Sequence, residues 1–185
     1  MKNTKAIIFD CFGVLYVDVT EAYFAHFPEK REELHDLNKL SDHGFISRQD
    51  YVRAVSKVTG ESASTVEAAF RNEHVLNKPL VEFIRTHLKP RYKTGLLSNV
   101  GREWMQDFFD AHQLHELFDQ VVLSGEEGIT KPNPLIFERI AERLGEQGSD
   151  CLFIDNVAEN CAGAEAVGMR SFLFKDTSSL IELLQ

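Results

Sequence analysis

Ile7-Ile8-Phe9-Asp10-Cys11-Phe12-Gly13-Val14-Leu15 is an apolar run that reaches a carboxylate and then breaks at a glycine. Consecutive apolar residues, without the alternation of a half-exposed strand, mark a strand covered on both faces, the usual state in a parallel sheet. An acid at the carboxyl end of such a strand stands where open α/β sheets collect their ligands. The stretch therefore predicts the first strand of a doubly wound, Rossmann-like α/β sheet and makes Asp10 the first candidate site residue.

Four further segments read as buried strands: Lys93–Leu97, Gln120–Leu123, Cys151–Ile154 and Ser171–Phe174. Helical patterns lie between and after them, near Arg102–His112, Pro134–Leu144, Ala158–Val167 and Thr177–Leu184. The alternation predicts a parallel sheet of about five strands with helices on both faces. Between the first two strands the rhythm stops, and helices follow one another from about Glu21 to Asn72. Ser47 opens one of them, with Tyr51, Val55 and Val58 recurring as a buried stripe. Ser64-Thr65-Val66-Glu67 has the form of a capping box. Lys78–His87 is expected to return to the sheet. No Pro/Gly/Ser-rich linker or internal repeat occurs, so the helical module is an insertion rather than an appended domain.

The composition narrows the partners. With 185 residues and 43% hydrophobic content, the chain can bury one full core and a modest module. A net charge of -9 without a basic cluster argues against nucleic acid and anionic membrane surfaces. No segment approaches the ~20 apolar residues of a spanning helix, and the amino terminus lacks a signal-peptide core. Cys11, Cys151 and Cys161 are odd in number and scattered, the expectation for reduced thiols in a cytoplasmic protein. Oligomeric state has no readable signal.

Three other segments place chemistry at element ends. Leu96-Leu97-Ser98-Asn99 closes the second strand with a hydroxyl before a helix, where Ser98 and backbone amides can hold a phosphate oxygen or simply cap the helix. Gly128-Ile129-Thr130-Lys131-Pro132-Asn133-Pro134 puts a lysine at the entrance of a proline-started helix, a site residue or an ordinary surface lysine. Phe153-Ile154-Asp155-Asn156 ends the fourth strand on another carboxylate, which could serve a site or cap the next helix.

In this order and spacing, the four segments resemble the haloacid dehalogenase (HAD)-like hydrolase superfamily. Asp42-His43-Gly44-Phe45-Ile46-Ser47 and the following helix look like its small-helical-cap branch, the subfamily IA-like phosphatases. The resemblance implies a core of residues 1–15 and 76–185, with residues 16–75 as a helical cap over the strand ends. It implies a phosphatase acting on a small phosphorylated metabolite. Asp10 would be the nucleophile, forming an aspartyl-phosphate. Mg²⁺ would be held by the Asp10 carboxylate, the Phe12 carbonyl and Asp155, with Asn156 or Glu159 as a further oxygen donor. Lys131 would pair with Asp10 and the phosphoryl group, and Ser98, Asn99 and Lys131 would bind the substrate.

The family's first motif reads Asp-x-Asp-Gly, and here Phe12 replaces the second aspartate, which serves as general acid and base. Its loss typically lowers rates ~10²–10⁴-fold. Tyr16, Asp18 and His43 are candidates to replace it. The family's dehalogenases also lack that aspartate, but they dispense with the metal and carry an arginine soon after the nucleophile. Leu15-Tyr16-Val17-Asp18 contains no arginine, and Asp155 is retained. The competing function is a degenerate member that keeps the fold for binding or regulation. His112 and His115 have one metal-like spacing without a third ligand and read as a surface pair.

Overall fold

The computed structural model describes residues 3–72, 74–112 and 114–184. The expected run forms strand β1 (Ala6–Phe9), buried at every position. With β2 (Lys93–Ser98), β3 (Gln120–Leu123), β4 (Cys151–Asp155) and β5 (Arg170–Leu173) it makes one five-stranded sheet, ordered β3-β2-β1-β4-β5. Every pairing is parallel. The chain winds from β1 out to β3, then crosses back to place β4 and β5 on the other side. Phe9 consequently lies opposite Leu96 on one side and Ile154 on the other. The winding reverses between β1 and β4, and Asp10 and Asp155 end the two strands that flank this switch point, where doubly wound sheets bind ligands.

The alternation of side chains along β1 divides the core. Ile8, Leu97, Val122 and Phe153 pack on one face against helix α8 (Pro134–Leu144) and helix α9 (Ala158–Ala166). Helix α8 starts at a proline behind the Asn133 cap, whose side chain accepts from the Leu135 amide at 3.0 Å, and ends at Gly145 with φ +68. Its stripe of Ile136, Phe137, Ile140 and Leu144 is buried, and each such side chain contributes roughly 1.5–3 kcal/mol. Ile7 and Phe9 face the other way, into a larger cluster that continues beyond the sheet.

That cluster includes the helical insertion: α1 (Thr20–Phe24), α2 (Arg31–Asp42), α3 (Arg48–Thr59) and α4 (Ala63–Asn72). Tyr23, Phe24, Leu34, Tyr51, Val55 and Val66 supply its buried residues. Helix α5 (Lys78–Phe83) returns to the sheet and continues as a π-helical turn through Leu88. Helices α6 (Met105–His112), α7 (Ser124–Glu127) and α10 (Thr177–Leu184) complete the described α-helices. Arg48 ties the insertion to the sheet side: it donates to Glu67 of α4 at 2.8 Å and to Asp107 of α6 at 2.9 Å, and lies 4.3 Å over the Trp104 ring.

Three expectations shift. Helix α6 begins at Met105 rather than Arg102, because Glu103 adopts φ +71, outside helical space. The serine that caps α4 is Ser62, whose Oγ accepts from the Thr65 amide at 3.1 Å, so Ser64 lies inside the helix and the Ser64–Glu67 box does not form. Strand β5 starts at Arg170, one residue earlier than its apolar pattern suggests. Among the described residues, no helix is long and apolar enough to cross a membrane.

Candidate active site

The parallel sheet delivers Asp10 and Asp155 side by side, and the loop before α8 drops Lys131 between them. Lys131 Nζ donates to Asp10 Oδ1 at 2.6 Å and to Asp155 Oδ2 at 2.7 Å. All three residues are buried, Lys131 at 4% exposure and Asp155 at 0%. Such a lysine is the reverse of a surface side chain, and its burial removes the bland reading of the Lys-Pro segment. Asn99 explains its placement: the side chain accepts from the Lys131 amide at 2.8 Å and donates to the Lys131 carbonyl at 3.0 Å. The end of β2 thus clamps the lysine backbone, and the Asn99 carboxamide positions the cation.

The neighbouring hydroxyl has no such task. Ser98 is fully buried, and its Oγ has no hydrogen-bond partner among the described residues. An unsatisfied buried hydroxyl is costly and rare in native structures, and this one keeps a donor free at the end of β2.

Electrostatics separate the charges. Burial pushes Asp10 upward; Lys131 opposes this and Asp155 adds to it, leaving the carboxyl at about 6. Burial would lower Lys131, but the two carboxylates outweigh it and its pKa is raised, so the ammonium persists. Two carboxylates around one ammonium leave one negative charge in excess. A second cation in reach of these oxygens would complete the neutralisation. Asp10, Asp155 and the carbonyl of Phe12 are hard oxygen donors, the set that suits Mg²⁺.

A cavity of about 240 Å³ opens over this cluster, lined by Asp10, Phe12, Asn99, Lys131 and Asn160 from the sheet and by Asp18, Asn38, Asp42 and Tyr51 from the helical side. Phe12 lines the same cavity as Asp10, with Cys11 buried between them. Its ring packs on Tyr16, His74 and Phe108 at centroid separations of 6.2, 4.7 and 5.6 Å. Gly13 turns the chain behind it with φ +94.

The other expected residues fall into distinct places. Tyr16 is buried with its hydroxyl 2.7 Å from His112 Nδ1, and both ring nitrogens of His43 are engaged, with the Lys39 carbonyl at 2.8 Å and Thr130 Oγ1 at 3.2 Å. Asp18 does line the cavity. His112 and His115 do not converge: the first bonds Tyr16 and the second Asp110. Asn156 and Glu159 are exposed, and the buried carboxamide beside Asp155 belongs to Asn160, which donates to Asp155 Oδ2 at 3.0 Å. The Val157 amide donates to Asp155 Oδ1 at 2.8 Å. Asn160 and Asp42 were not singled out as site residues from the sequence. Asn160's only local signal is its place in the first turn of the helix after Asp155.

A phosphatase of Mycobacterium tuberculosis is 43% identical over 119 residues, which cover 64% of this chain and 54% of that protein. This chain thus spans about half the length of the mycobacterial relative. A sesquiterpene phosphatase of Aspergillus oryzae is 23% identical over 193 residues, covering 98% of this chain and 95% of the relative. In fold, a HAD family enzyme of Bacteroides thetaiotaomicron, solved with magnesium and inorganic phosphate, superposes with a TM-score of 0.80 over 96% of this chain and 98% of that one, at 21% identity. A family model for haloacid dehalogenase-like hydrolases matches residues 4–168, from just before the strand that ends on Asp10 to beyond the helix behind Asp155, and by that match the chain belongs to this family of hydrolases.

Proposed function

We propose that this chain is a Mg²⁺-dependent phosphatase that acts on a small phosphorylated metabolite through an aspartyl-phosphate on Asp10. The observation that carries the reading is the buried Asp10–Lys131–Asp155 cluster, with the unpartnered Ser98 hydroxyl close by on the neighbouring strand end. The phosphatases among its relatives support it.

In this reading Asp10 attacks phosphorus, since it carries the reactive carboxylate at the strand end. Lys131 orients that carboxylate and offsets charge on the phosphoryl oxygens as they arrive. Ser98 Oγ donates to one of these oxygens, and Asn99 keeps the lysine in register. Asp10, the Phe12 carbonyl and Asp155 would hold Mg²⁺, which neutralises the repulsion between the attacking carboxylate and the phosphate. Asn160 and the Val157 amide hold Asp155 in place for that role.

Residues 16–75 act here as the cap on a core of residues 1–15 and 76–185. The two connecting segments support this division. They run side by side, with the Val17 amide donating to the Val75 carbonyl at 2.9 Å and Tyr16 bridging Leu76.

The test is release of inorganic phosphate from p-nitrophenyl phosphate and acetyl phosphate with and without Mg²⁺. Wild type should release phosphate only with the metal, and Asp10→Asn should release none. Acid-quenched wild type should carry added phosphoryl mass on Asp10. Activity of Asp10→Asn within tenfold of wild type would remove Asp10 as nucleophile; inactivity of wild type on both substrates would favour a binding role.

A further inference from the structure

Phe12 closes the usual route for a proton. Its ring lies in an aromatic nest with Tyr16, His74 and Phe108, where the Tyr16 hydroxyl is engaged with His112 Nδ1 at 2.7 Å and His74 Nδ1 with the Val17 carbonyl at 2.9 Å. The side chain at position 12 cannot supply the proton, and the helical wall of the cavity offers carboxylates in its place. Three carboxylates line it from the helical side: Asp18, Glu21 and Asp42. Asp18 is exposed, and Glu21 pairs with Arg31 at 2.6 Å. Asp42, the last residue of α2, is set differently.

The turn that carries Asp42 is docked on the loops that carry the phosphate-side residues. Ser124 Oγ donates to the Asp42 carbonyl at 2.6 Å while accepting from the Val100 amide at 2.9 Å, which ties Asp42 to the loop just after Ser98 and Asn99. A Cβ on Gly44 would lie 2.1 Å from the Gly125 carbonyl oxygen, so the backbones meet as closely as glycine permits. His43 reaches Thr130, the residue before Lys131. The Asp42 side chain is steadied as well. Tyr51 donates to Asn38 Oδ1 at 3.2 Å, and Asn38 Nδ2 donates to Asp42 Oδ2 at 3.0 Å. Among the described residues, Oδ1 of Asp42 has no hydrogen bond and is available to carry a proton.

Building on the phosphatase reading, we propose that Asp42 is the general acid and base of this enzyme, supplied by the helical insertion in place of the side chain at position 12. As Asp10 attacks, the bond from phosphorus to the leaving oxygen breaks, and that oxygen takes its electron pair and the proton of Asp42. Asp42, now a carboxylate, accepts a proton from the incoming water. The water oxygen bonds to phosphorus, and the bond to Asp10 breaks with its electrons returning to the carboxylate. Alcohol and phosphate leave, and Asp42 is protonated again.

The electrostatic setting agrees. Burial pushes Asp42 up and the charge of Asp18 adds to it, while Lys131 pulls it down; the balance lies at about 7. Tyr51 also faces it, from α3, and Asp10, Glu21, His35 and His74 line the same cavity. An acid of this strength is partly protonated at neutral pH, the condition for efficient transfer in both directions.

The experiment compares Asp42→Asn with wild type on p-nitrophenyl phosphate, whose phenolate departs without a proton, and on a panel of alkyl phosphates including butyl, glycerol and hexose esters. The amide is isosteric and can still accept from Asn38, so circular dichroism and melting should be unchanged. Expected is a fall of ~10²–10⁴-fold in the rate at which the alkyl esters that wild type turns over phosphorylate Asp10, and of less than about fivefold in the pre-steady-state burst of nitrophenolate; with the base also lost, the variant should accumulate phosphoryl mass on Asp10 from the nitrophenyl ester. Wild-type alkyl turnover should also decline as pH rises through about 7, where Asp42 loses its proton, and that limb should vanish in the variant. Equal losses of phosphorylation rate on both ester classes, no loss on either, a variant that hydrolyses its aspartyl-phosphate as fast as wild type, or a wild type that turns over the nitrophenyl ester but no alkyl ester would overturn the assignment. Inactivity of wild type on every ester would instead remove the phosphatase reading, and this inference with it.

Discussion

Asp10 and Asp155 end adjacent parallel strands, are both buried and share one lysine, yet their surroundings differ. Asp155 receives hydrogen bonds from Lys131, the Val157 amide and the Asn160 carboxamide, so both its oxygens are occupied by donors. Asp10 has Lys131 and the neighbouring Cys11 amide, and burial leaves its carboxyl raised. Past Asp155 the chain supplies polar donors; past Asp10 it supplies an aromatic ring. The difference teaches that identical side chains in matching positions acquire different tasks from the turn that follows each strand. The braced carboxylate suits a fixed ligand, and the sparsely braced one suits attack on phosphorus.

The largest test of this contrast removes the shared cation. Lys131→Met leaves two buried carboxylates facing each other, and losing one partner of a buried pair costs about 3–5 kcal/mol. For a chain of this size that lowers the melting temperature by roughly 10 °C. Asp10→Asn, by contrast, leaves a matched Lys131–Asp155 pair and should melt within about 2 °C of wild type. Similar melting of the two variants in calorimetry would break the account of the cluster as two acids held by one base.

Metal binding sharpens the comparison at the braced end. Asp155→Ala should weaken Mg²⁺ binding by about 100-fold or more in titration calorimetry, and Asn160→Ala, which keeps the carboxylate but removes a donor, by about tenfold. Unchanged affinity in Asp155→Ala would move the ion away from this pair. An Asn160→Ala effect as large as that of Asp155→Ala would make the carboxamide a ligand in its own right.

The smallest effect concerns Ser98. Because its buried hydroxyl has no hydrogen-bond partner among the described residues, Ser98→Ala should not lower the melting temperature and should raise it slightly. Inhibition by inorganic phosphate should weaken about tenfold, the loss of one hydrogen bond to a charged group. A large drop in melting temperature would show that the hydroxyl serves the fold rather than the ligand.

Much of the fold was legible because its signals are local. The apolar runs ending at Phe9, Ser98, Leu123 and Asp155 follow from strand burial, and the Asn133-Pro134 start and Gly145 end of α8 follow from capping chemistry. The chemistry-bearing strand ends were legible for the same reason: a carboxylate after a buried strand has few other places to go. The shifted starts of α4 and α6 were not, because a backbone in the left-handed region at Glu103 and a choice between nearby serines carry almost no local signature.

The sequence alone determined the order of the strands along the chain, the burial of the three central ones and the identity of the acids and the lysine at their ends, whereas β5, also expected to be buried, is a half-exposed edge strand. These depend on residue type and on a period of a few residues. The tertiary structure decided which polar groups meet. Asn99 clamps Lys131 from 32 positions away, and Ser124 anchors Asp42 from 82. Such pairings arise only when helices and loops dock. Their register is set by close backbone contacts, Gly44 on Gly125 among them, that no local pattern of residues encodes.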